Sequence, residues 1–131
     1  MNRRIPEQRG EVIDRGRVVS FEFEGKTLEG FEGDTISSAL SANGVRIVGR
    51  SFKYHRPRGL LSLSDADCNA FFESKNETNI RGDVTAIKPG MRVRAVNTIG
   101  GAAKDRLGIL NRFSAFTPVG FYYKAFHTPR R

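Results

Sequence analysis

Residues 18–44 read VVSFEFEGKTLEGFEGDTISSALSANG, a stretch whose apolar side chains pass from strand spacing to helical spacing. Apolar residues alternate over 18–23, which predicts a half-buried strand. Gly25 can supply the positive φ that a tight hairpin requires, so residues 26–30 are predicted to return as an antiparallel strand. A hairpin therefore begins the fold.

The second half of this stretch predicts one helix, from about Thr35 to Asn43. Asp34 is the expected N-cap, because its carboxylate can accept hydrogen bonds from the free amides of the first turn. Gly44 is the expected C-terminal stop. Three apolar side chains recur at helical spacing and form a narrow inward stripe, namely Ile36, Ala39 and Leu40.

Further strands are predicted downstream of the helix. Apolar segments indicate strands over 45–48 and 69–73, and residues 84–87 and 91–96 flank a Lys-Pro-Gly turn as a second hairpin. A hairpin followed by a helix and a strand is how a β-grasp domain begins, although several α+β folds share this order. We therefore predict an α+β fold of the β-grasp type, with a mixed sheet and one main helix.

The pattern divides the chain into three parts. Residues 1–16 mix arginines with acids and show no hydrophobic period, so we expect an arm that is either mobile or held by a partner. Residues 17–97 are expected to form the β-grasp domain. Residues 98–131 are expected to form an extended, aromatic-rich C-terminal extension.

The C-terminal extension is expected to contact another chain, because a short segment without strong periodicity cannot hide many large aromatic side chains on its own domain. The alternative is that it folds back over its own sheet. The residues assigned to partner contact are Phe121, Tyr122, Tyr123, Lys124 and Phe126.

A basic stretch follows the helix, where residues 50–59 read RSFKYHRPRG. It carries four permanent cations and His55, and no Asp or Glu occurs from Asn43 through Ser64. Such a segment attracts anions, whether phosphates, nucleic acid or an acidic protein face. The residues expected to contact a cofactor or a partner are Arg50, Ser51, Lys53, Tyr54, His55, Arg56 and Arg58.

Two simpler interpretations of the basic stretch stay open. Its cations could form a solvated face, or they could pair with Asp65 and Asp67. Contact with a partner or cofactor is favoured, because a solvated loop would not need aromatics interleaved with its charges. For His55 we expect a neutral hydrogen-bonding or stacking role rather than general-base chemistry, because neighbouring arginines disfavour its proton.

Composition limits the remaining choices. The chain of 131 residues has 22 Lys and Arg against 14 Asp and Glu, a net charge of +8 and a pI near 10.3, which fits one basic folded domain. No apolar run approaches the length of about 18 to 20 residues that a membrane span needs, and the N-terminus lacks the apolar centre of a secretory signal. We therefore expect a cytoplasmic protein.

Cys68 is the only cysteine, which excludes an internal disulfide and any site built from several thiolates of this chain. His55 and His127 lack the short paired spacing of a zinc site, so no bound metal is predicted. Cys68 itself is expected to be a small buried filler.

The motifs GDTISSAL at residues 33–40, NGVR at 43–46, VGRSFKYHRPRG at 48–59 and GFYYKAF at 120–126 resemble the N-terminal domain of the α subunit of heterotetrameric sarcosine oxidases. That resemblance implies a β-grasp domain like a plant-type [2Fe-2S] ferredoxin. Since this chain stops at Arg131, it further implies a non-catalytic small subunit of a split complex that oxidises the CH–NH group of a secondary amine, such as an N-methyl amino acid, an opine or an imino acid.

The same resemblance implies FAD, FMN or NAD(P) on larger partner subunits and no cofactor held by this chain alone. The sequence of this chain departs from the ferredoxin pattern in one respect. A [2Fe-2S] cluster needs four thiolates, and the loop after the helix has no cysteine. The alternatives kept beside the oxidoreductase subunit are a [2Fe-2S] electron-transfer subunit and a nucleic-acid-binding module, the latter because aromatics among cations can stack on unpaired bases.

Overall fold

The fold is a mixed β-sheet with one helix packed against it. The computed structural model describes residues 3–109. Within them the elements are β1 (Asp14–Phe23), β2 (Lys26–Glu32), α1 (Ile36–Ala42), β3 (Gly49–Arg50), β4 (Pro57–Arg58), β5 (Phe71–Glu73), β6 (Ile80–Arg81) and β7 (Arg92–Ala95).

The main sheet has five strands in the order β2-β1-β7-β5-β6. β1 and β2 form the antiparallel hairpin that the sequence predicts. β7 lies beside β1 in parallel and pairs with β5 antiparallel. β3 and β4 form a separate two-stranded hairpin. The expectation of a mixed sheet with one helix is confirmed, and the arrangement is consistent with a β-grasp, ferredoxin-like fold.

The core lies between α1 and the main sheet. Phe21 from β1, Phe72 from β5 and Leu40 from α1 are almost completely buried. The rings of Phe23 and Phe72 meet edge to face, with centroids 5.9 Å apart. Burying such a side chain stabilises a fold by about 1.5 to 3 kcal/mol, so this cluster holds the helix on the sheet.

The helix is one residue shorter at each end than predicted, and its N-cap is Thr35 rather than Asp34. The Oγ1 of Thr35 accepts a hydrogen bond from Ser38 N. The Asp34 side chain is buried, and it accepts from Phe31 N at 2.7 Å and from Ser38 Oγ at 2.8 Å. The stop at Gly44, with φ of 74°, agrees with the prediction.

The N-terminal residues that the structure describes pack on this domain. Arg3 N donates to Ala42 O at 2.9 Å, and the guanidinium of Arg4 forms an ion pair with Asp34. β1 already begins at Asp14, within the range predicted as an arm. The sequence does not predict these contacts of the N-terminal residues. They are made by single polar groups, whereas a hydrophobic period arises only where a segment packs through an apolar face.

Two strand predictions are wrong. Residues 45–48 do not form a strand, and the pairing occurs just after them, in β3. Residues 84–87 do not form a hairpin with β7 either. They contribute one isolated bridge, between Ala86 and Thr35, and β7 pairs with β1 and β5 instead. The spacing of apolar residues indicates that a segment is extended, but it does not indicate which strand the segment pairs with.

Successive residues of β7 alternate between the surface and the core. Val93 and Ala95 are buried, whereas Arg92 and Arg94 are exposed. Residues 106–109 form one 3₁₀ turn. Among residues 3–109, no helix has both the length and the apolar character that a bilayer span requires.

Candidate functional site

Residues 50–59, hereafter the basic loop, comprise the last residue of β3, the tight turn over 51–56, β4 and Gly59. Ser51 N donates to Arg56 O and His55 N donates to Ser51 O, each at 3.0 Å. Ser51 Oγ accepts from Arg56 N at 3.0 Å. His55 has φ of 50°, a left-handed conformation that few non-glycine residues adopt. Ser51 therefore shapes the loop from within.

Arg50 points towards a distant part of its own chain. Its Nε donates to Ala102 O at 2.7 Å, its Nη1 to His55 O at 3.0 Å and its Nη2 to Ala103 O at 3.2 Å. A planar guanidinium with five N–H groups suits such a set of acceptors. Arg50 thus binds the basic loop to residues 102–103.

His55 and Asp105 form a buried pair, with Nδ1 and Oδ2 2.7 Å apart and side chains 5% and 0% exposed. The other oxygen of Asp105 accepts from Ile99 N at 2.9 Å and from Leu107 N at 3.2 Å. Burial tends to raise the pKa of Asp105, but these hydrogen bonds and the one with His55 outweigh it and hold the pKa below its ordinary value. The carboxylate is therefore kept ionised.

Asp105 is not predicted from the sequence as part of this site. It lies 50 residues from His55, and no local spacing connects the two. The hydrogen-bonding role predicted for His55 nevertheless agrees with the observed contact. The one feature of the sequence that could have indicated Asp105 is the absence of acidic residues near the loop. A buried polar group in the loop must be hydrogen-bonded, so an acidic partner had to come from elsewhere in the chain.

The outer side of the basic loop carries cations around an aromatic ring. Lys53 Nζ lies 5.0 Å and Arg56 Cζ 4.8 Å from the centre of the Tyr54 ring, distances typical of cation–π contacts. Arg56 and Arg58 are exposed, and Phe52 is 71% exposed. The loop therefore presents positive charge and apolar surface side by side.

An open groove of about 420 Å³ lies beside the basic loop. Phe52 and Phe71 supply apolar surface, and Arg50 and Arg58 supply positive charge. Large exposed apolar side chains next to arginine are enriched where proteins meet partners. This groove and the outer side of the loop form the candidate contact surface.

Asp67 takes a different role from the ion pairing considered above. Its carboxylate accepts four backbone hydrogen bonds, from Leu61 at 2.6 Å, Ser62 at 2.8 Å, Asn69 at 2.7 Å and Ala70 at 3.1 Å. Burial tends to raise the pKa of Asp67, but the amides outweigh it and hold the pKa below its usual range. Asp67 therefore organises the segment that follows the basic loop.

The remaining assigned residues, those of the C-terminal extension, lie outside the described part of the chain. They are Phe121, Tyr122, Tyr123, Lys124 and Phe126. Their assignment to partner contact stays a prediction.

Comparison with known proteins connects this geometry to a family. Residues 16–98 match the model of the 2Fe-2S iron-sulfur cluster binding domain. Sarcosine oxidase subunit alpha of Rhizobium meliloti (strain 1021) is 44% identical over 131 residues, which cover 96% of this chain and 13% of that protein. The corresponding subunit of Corynebacterium sp. (strain P-1) is 38% identical over 87 residues, which cover 63% of this chain and 9% of that protein.

Among solved structures, the crystal structure of L-proline dehydrogenase from P. horikoshii is similar to 66% of this chain with a TM-score of 0.53 and 25% sequence identity, over 17% of that chain. The chain therefore spans only a small part of the proteins it matches. The resemblance to sarcosine oxidase α subunits that the sequence motifs indicate is confirmed.

The residues of this chain do not fit the cluster that the matched domain is described as binding. Four ligands are needed, and the chain has one cysteine. Cys68 is exposed, contrary to the prediction of a buried filler, because the neighbouring Asp67 is the side chain that turns inward and accepts backbone hydrogen bonds. Within residues 3–109, no group of three or more His, Cys, Asp and Glu side chains could hold a metal ion.

Proposed function

The chain belongs to the family of 2Fe-2S iron-sulfur cluster binding domains, and from this premise we propose that it is a non-catalytic small subunit of a flavin-dependent amine oxidoreductase. The observation that carries the proposal is the 44% identity to a sarcosine oxidase α subunit over 96% of this chain. The L-proline dehydrogenase neighbour supports the same class, since both names describe oxidation of a secondary amine.

The substrates we propose are N-methyl amino acids, opines or imino acids, each oxidised at a CH–NH group. Removing a hydride from such a carbon requires an electron acceptor such as a flavin or a nicotinamide. We propose that FAD, FMN or NAD(P) is held by larger partner subunits. This chain contributes no cofactor of its own in that arrangement.

The non-catalytic role is supported by how several buried titratable groups of the described residues are used. His55 and Asp105 are buried against each other, Asp34 binds Arg4, and Asp83 binds Arg81. A general base must come within hydrogen-bond reach of the proton that it abstracts. Groups buried in internal pairs do not meet that requirement.

The contact that we propose for the basic loop is with an acidic face of a partner or with the phosphate of the partner's cofactor. Arg56 and Arg58 are exposed there, and a guanidinium binds carboxylate or phosphate with two parallel hydrogen bonds. Tyr54 orients Arg56 through the cation–π contact. Arg50 and Ser51 also line the groove of this contact surface, whereas His55 is buried and shapes the loop from within.

One observation favours a second function, electron transfer through a [2Fe-2S] cluster, because the matched domain carries that description. The number of thiolates in the chain argues against it. The two functions differ in their metal content, so iron and acid-labile sulfide in the purified protein distinguish them.

The test is the composition of the native complex, isolated through an affinity tag on this chain and examined by mass and visible spectrum. The proposed function predicts larger subunits in fixed stoichiometry and the absorbance of bound flavin. Stoichiometric iron and sulfide on this chain would instead support electron transfer. A preparation without flavin, carrying absorbance near 260 nm, would overturn the proposal in favour of nucleic-acid binding.

A further inference from the structure

The side chains of Arg50, His55 and Asp105, which we call the polar knot, lie at the base of the basic loop. We propose that the polar knot organises this loop without any metal, and so replaces the cluster for which the family is named. The proposal concerns this chain alone and does not depend on the function proposed above.

The first part of the polar knot is the fork of Arg50. It joins three carbonyls, one within the loop at His55 and two on the distant residues Ala102 and Ala103. Hydrogen bonds from a charged donor are about twice as strong as those between neutral groups. One side chain therefore fixes both the shape of the loop and its place on the domain.

The second part is the pair between His55 and Asp105. The backbone of His55 is in the left-handed region, where Asn, Asp and His are tolerated better than other non-glycine residues. This conformation directs the imidazole inward, where Nδ1 meets Asp105. The tip of the loop is thereby fixed at a second point.

The segment that contains Ala102 and Ala103, whose carbonyls accept from Arg50, is itself hydrogen-bonded to the end of the first strand. Glu24 Oε1 accepts from Ala102 N at 2.7 Å. Gly101 has φ of 98°, and a Cβ at this position would lie 2.8 Å from Glu24 Oε2. The acceptors of the polar knot are therefore held by β1, through the residue that follows its last position.

A His–Asp pair can also serve in catalysis, but burial argues against that role here. His55 is 4% exposed, and the second oxygen of Asp105 is occupied by backbone amides. We therefore assign Arg50, His55 and Asp105 as positioning residues. Their function is to hold the loop in one conformation.

The test uses amide hydrogen exchange of the full 131-residue chain, read at Ser51, His55 and Arg56, whose N–H groups bond within the loop. His55→Ala and Asp105→Asn should each accelerate exchange at these amides by about tenfold or more, because local opening no longer breaks a buried charged hydrogen bond. The amides of β1 and β2 should stay unchanged, which shows that the fold is intact.

Two matched variants separate the polar knot from general damage. His55→Asn keeps both a donor near Nδ1 and tolerance of positive φ, so it should restore most of the protection that His55→Ala loses. Arg81→Ala breaks another hydrogen-bonded Arg–Asp pair, with Asp83, away from the loop. It should leave exchange in the loop unchanged.

Independence from metal is tested on the same chain. Treatment with a chelator, and anaerobic incubation with iron and sulfide, should each change loop exchange less than twofold. Protection that rises on incubation with iron and sulfide would overturn the proposal. Unchanged exchange in both His55→Ala and Asp105→Asn would also overturn the proposal. If His55→Ala fails to fold, Asp105→Asn and Arg50→Lys are used for the test instead.

Discussion

Arg4 donates to both carboxylate oxygens of Asp34, and so joins the N-terminal segment to the residue just before the cap of α1. The side chain of Asp34 is only 1% exposed, and Arg4 also lies over the ring of Phe31 at 4.9 Å. This ion pair therefore links the N-terminal segment to the junction between the first hairpin and the helix.

Arg4→Ala should lower the free energy of unfolding by about 2 to 4 kcal/mol, because it leaves a buried carboxylate without its cation. Urea unfolding followed by circular dichroism measures the change. Arg9→Ala is the control, since Arg9 is exposed on the same segment, and it should alter stability by less than about 0.5 kcal/mol. Equal effects of the two changes would contradict the role given to Arg4.

Stability should fall in acid. The pKa values of Asp67, Asp83 and Asp105 are all held below the ordinary value by hydrogen bonds. Each group therefore contributes stability that is fully present above its unfolded pKa of about 3.9 and is lost as pH falls through the folded pKa.

Unfolding curves between pH 7 and pH 2 test this linkage. The wild type should lose stability below about pH 4, and Asp67→Asn should be less stable at neutral pH but show a shallower dependence on acid. Glu29→Gln, on the exposed side of β2, is a control that should keep the wild-type slope. An acid slope unaltered by Asp67→Asn would show that the amide hydrogen bonds do not set this pKa.

The double change Arg56→Ala and Arg58→Ala should weaken assembly or flavin retention of the native complex while leaving the stability of the chain near its original value. Loss of two exposed guanidinium contacts to an anionic surface should weaken association about tenfold or more. Titration of the separated subunits and flavin absorbance provide the measurements. The matched control is Arg17→Ala with Arg92→Ala, two exposed arginines on the main sheet.

Gly82→Ala should destabilise the fold by about 1 to 3 kcal/mol through overpacking. A Cβ at this buried position would lie 2.1 Å and 2.7 Å from atoms of the Phe72 ring. Thermal unfolding measures the effect. The control is Gly90→Ala, because φ at Gly90 is 71° but no atom lies near the added Cβ. Comparing the two variants separates crowding from conformational strain. The double variant Gly82→Ala with Phe72→Leu should recover part of the loss.

Deletion of the residues after Val119 should reduce partner contact, since the aromatic segment 121–126 is predicted to pack on another chain. Co-purification with the larger subunits measures this effect. A truncated chain that still assembles in full stoichiometry would favour the alternative, in which the extension folds back over its own sheet.

The features that the sequence predicts correctly are local ones. The first hairpin needs only alternation and Gly25, and the helix needs only its apolar stripe and Gly44. The prediction that Asp34 caps the helix is wrong, because Thr35 Oγ1 accepts from Ser38 N in that role. The Asp34 carboxylate instead binds Arg4, a residue 30 positions away that no local pattern indicates.

Two of the missed features depend on contacts between distant parts of the chain. Residues 84–87 and β7 both look like strands, but the pairing of β7 with β1 is set by the core they enclose. The burial of His55 likewise depends on Asp105, which no motif near the basic loop indicates. Sequence patterns located the loop and its charge, and the structure shows which of its side chains point inward.

The parallel contact between β1 and β7 has a consequence for how the protein is made. Phe23 pairs with Val93, so a growing polypeptide completes its first hairpin long before the neighbouring strand has been synthesised. During that interval one side of β1 has unsatisfied amides and carbonyls, and such an open side can bind other nascent chains. Because the connection between the two strands is long, their pairing is expected to form slowly, and the open side of β1 stays accessible until then.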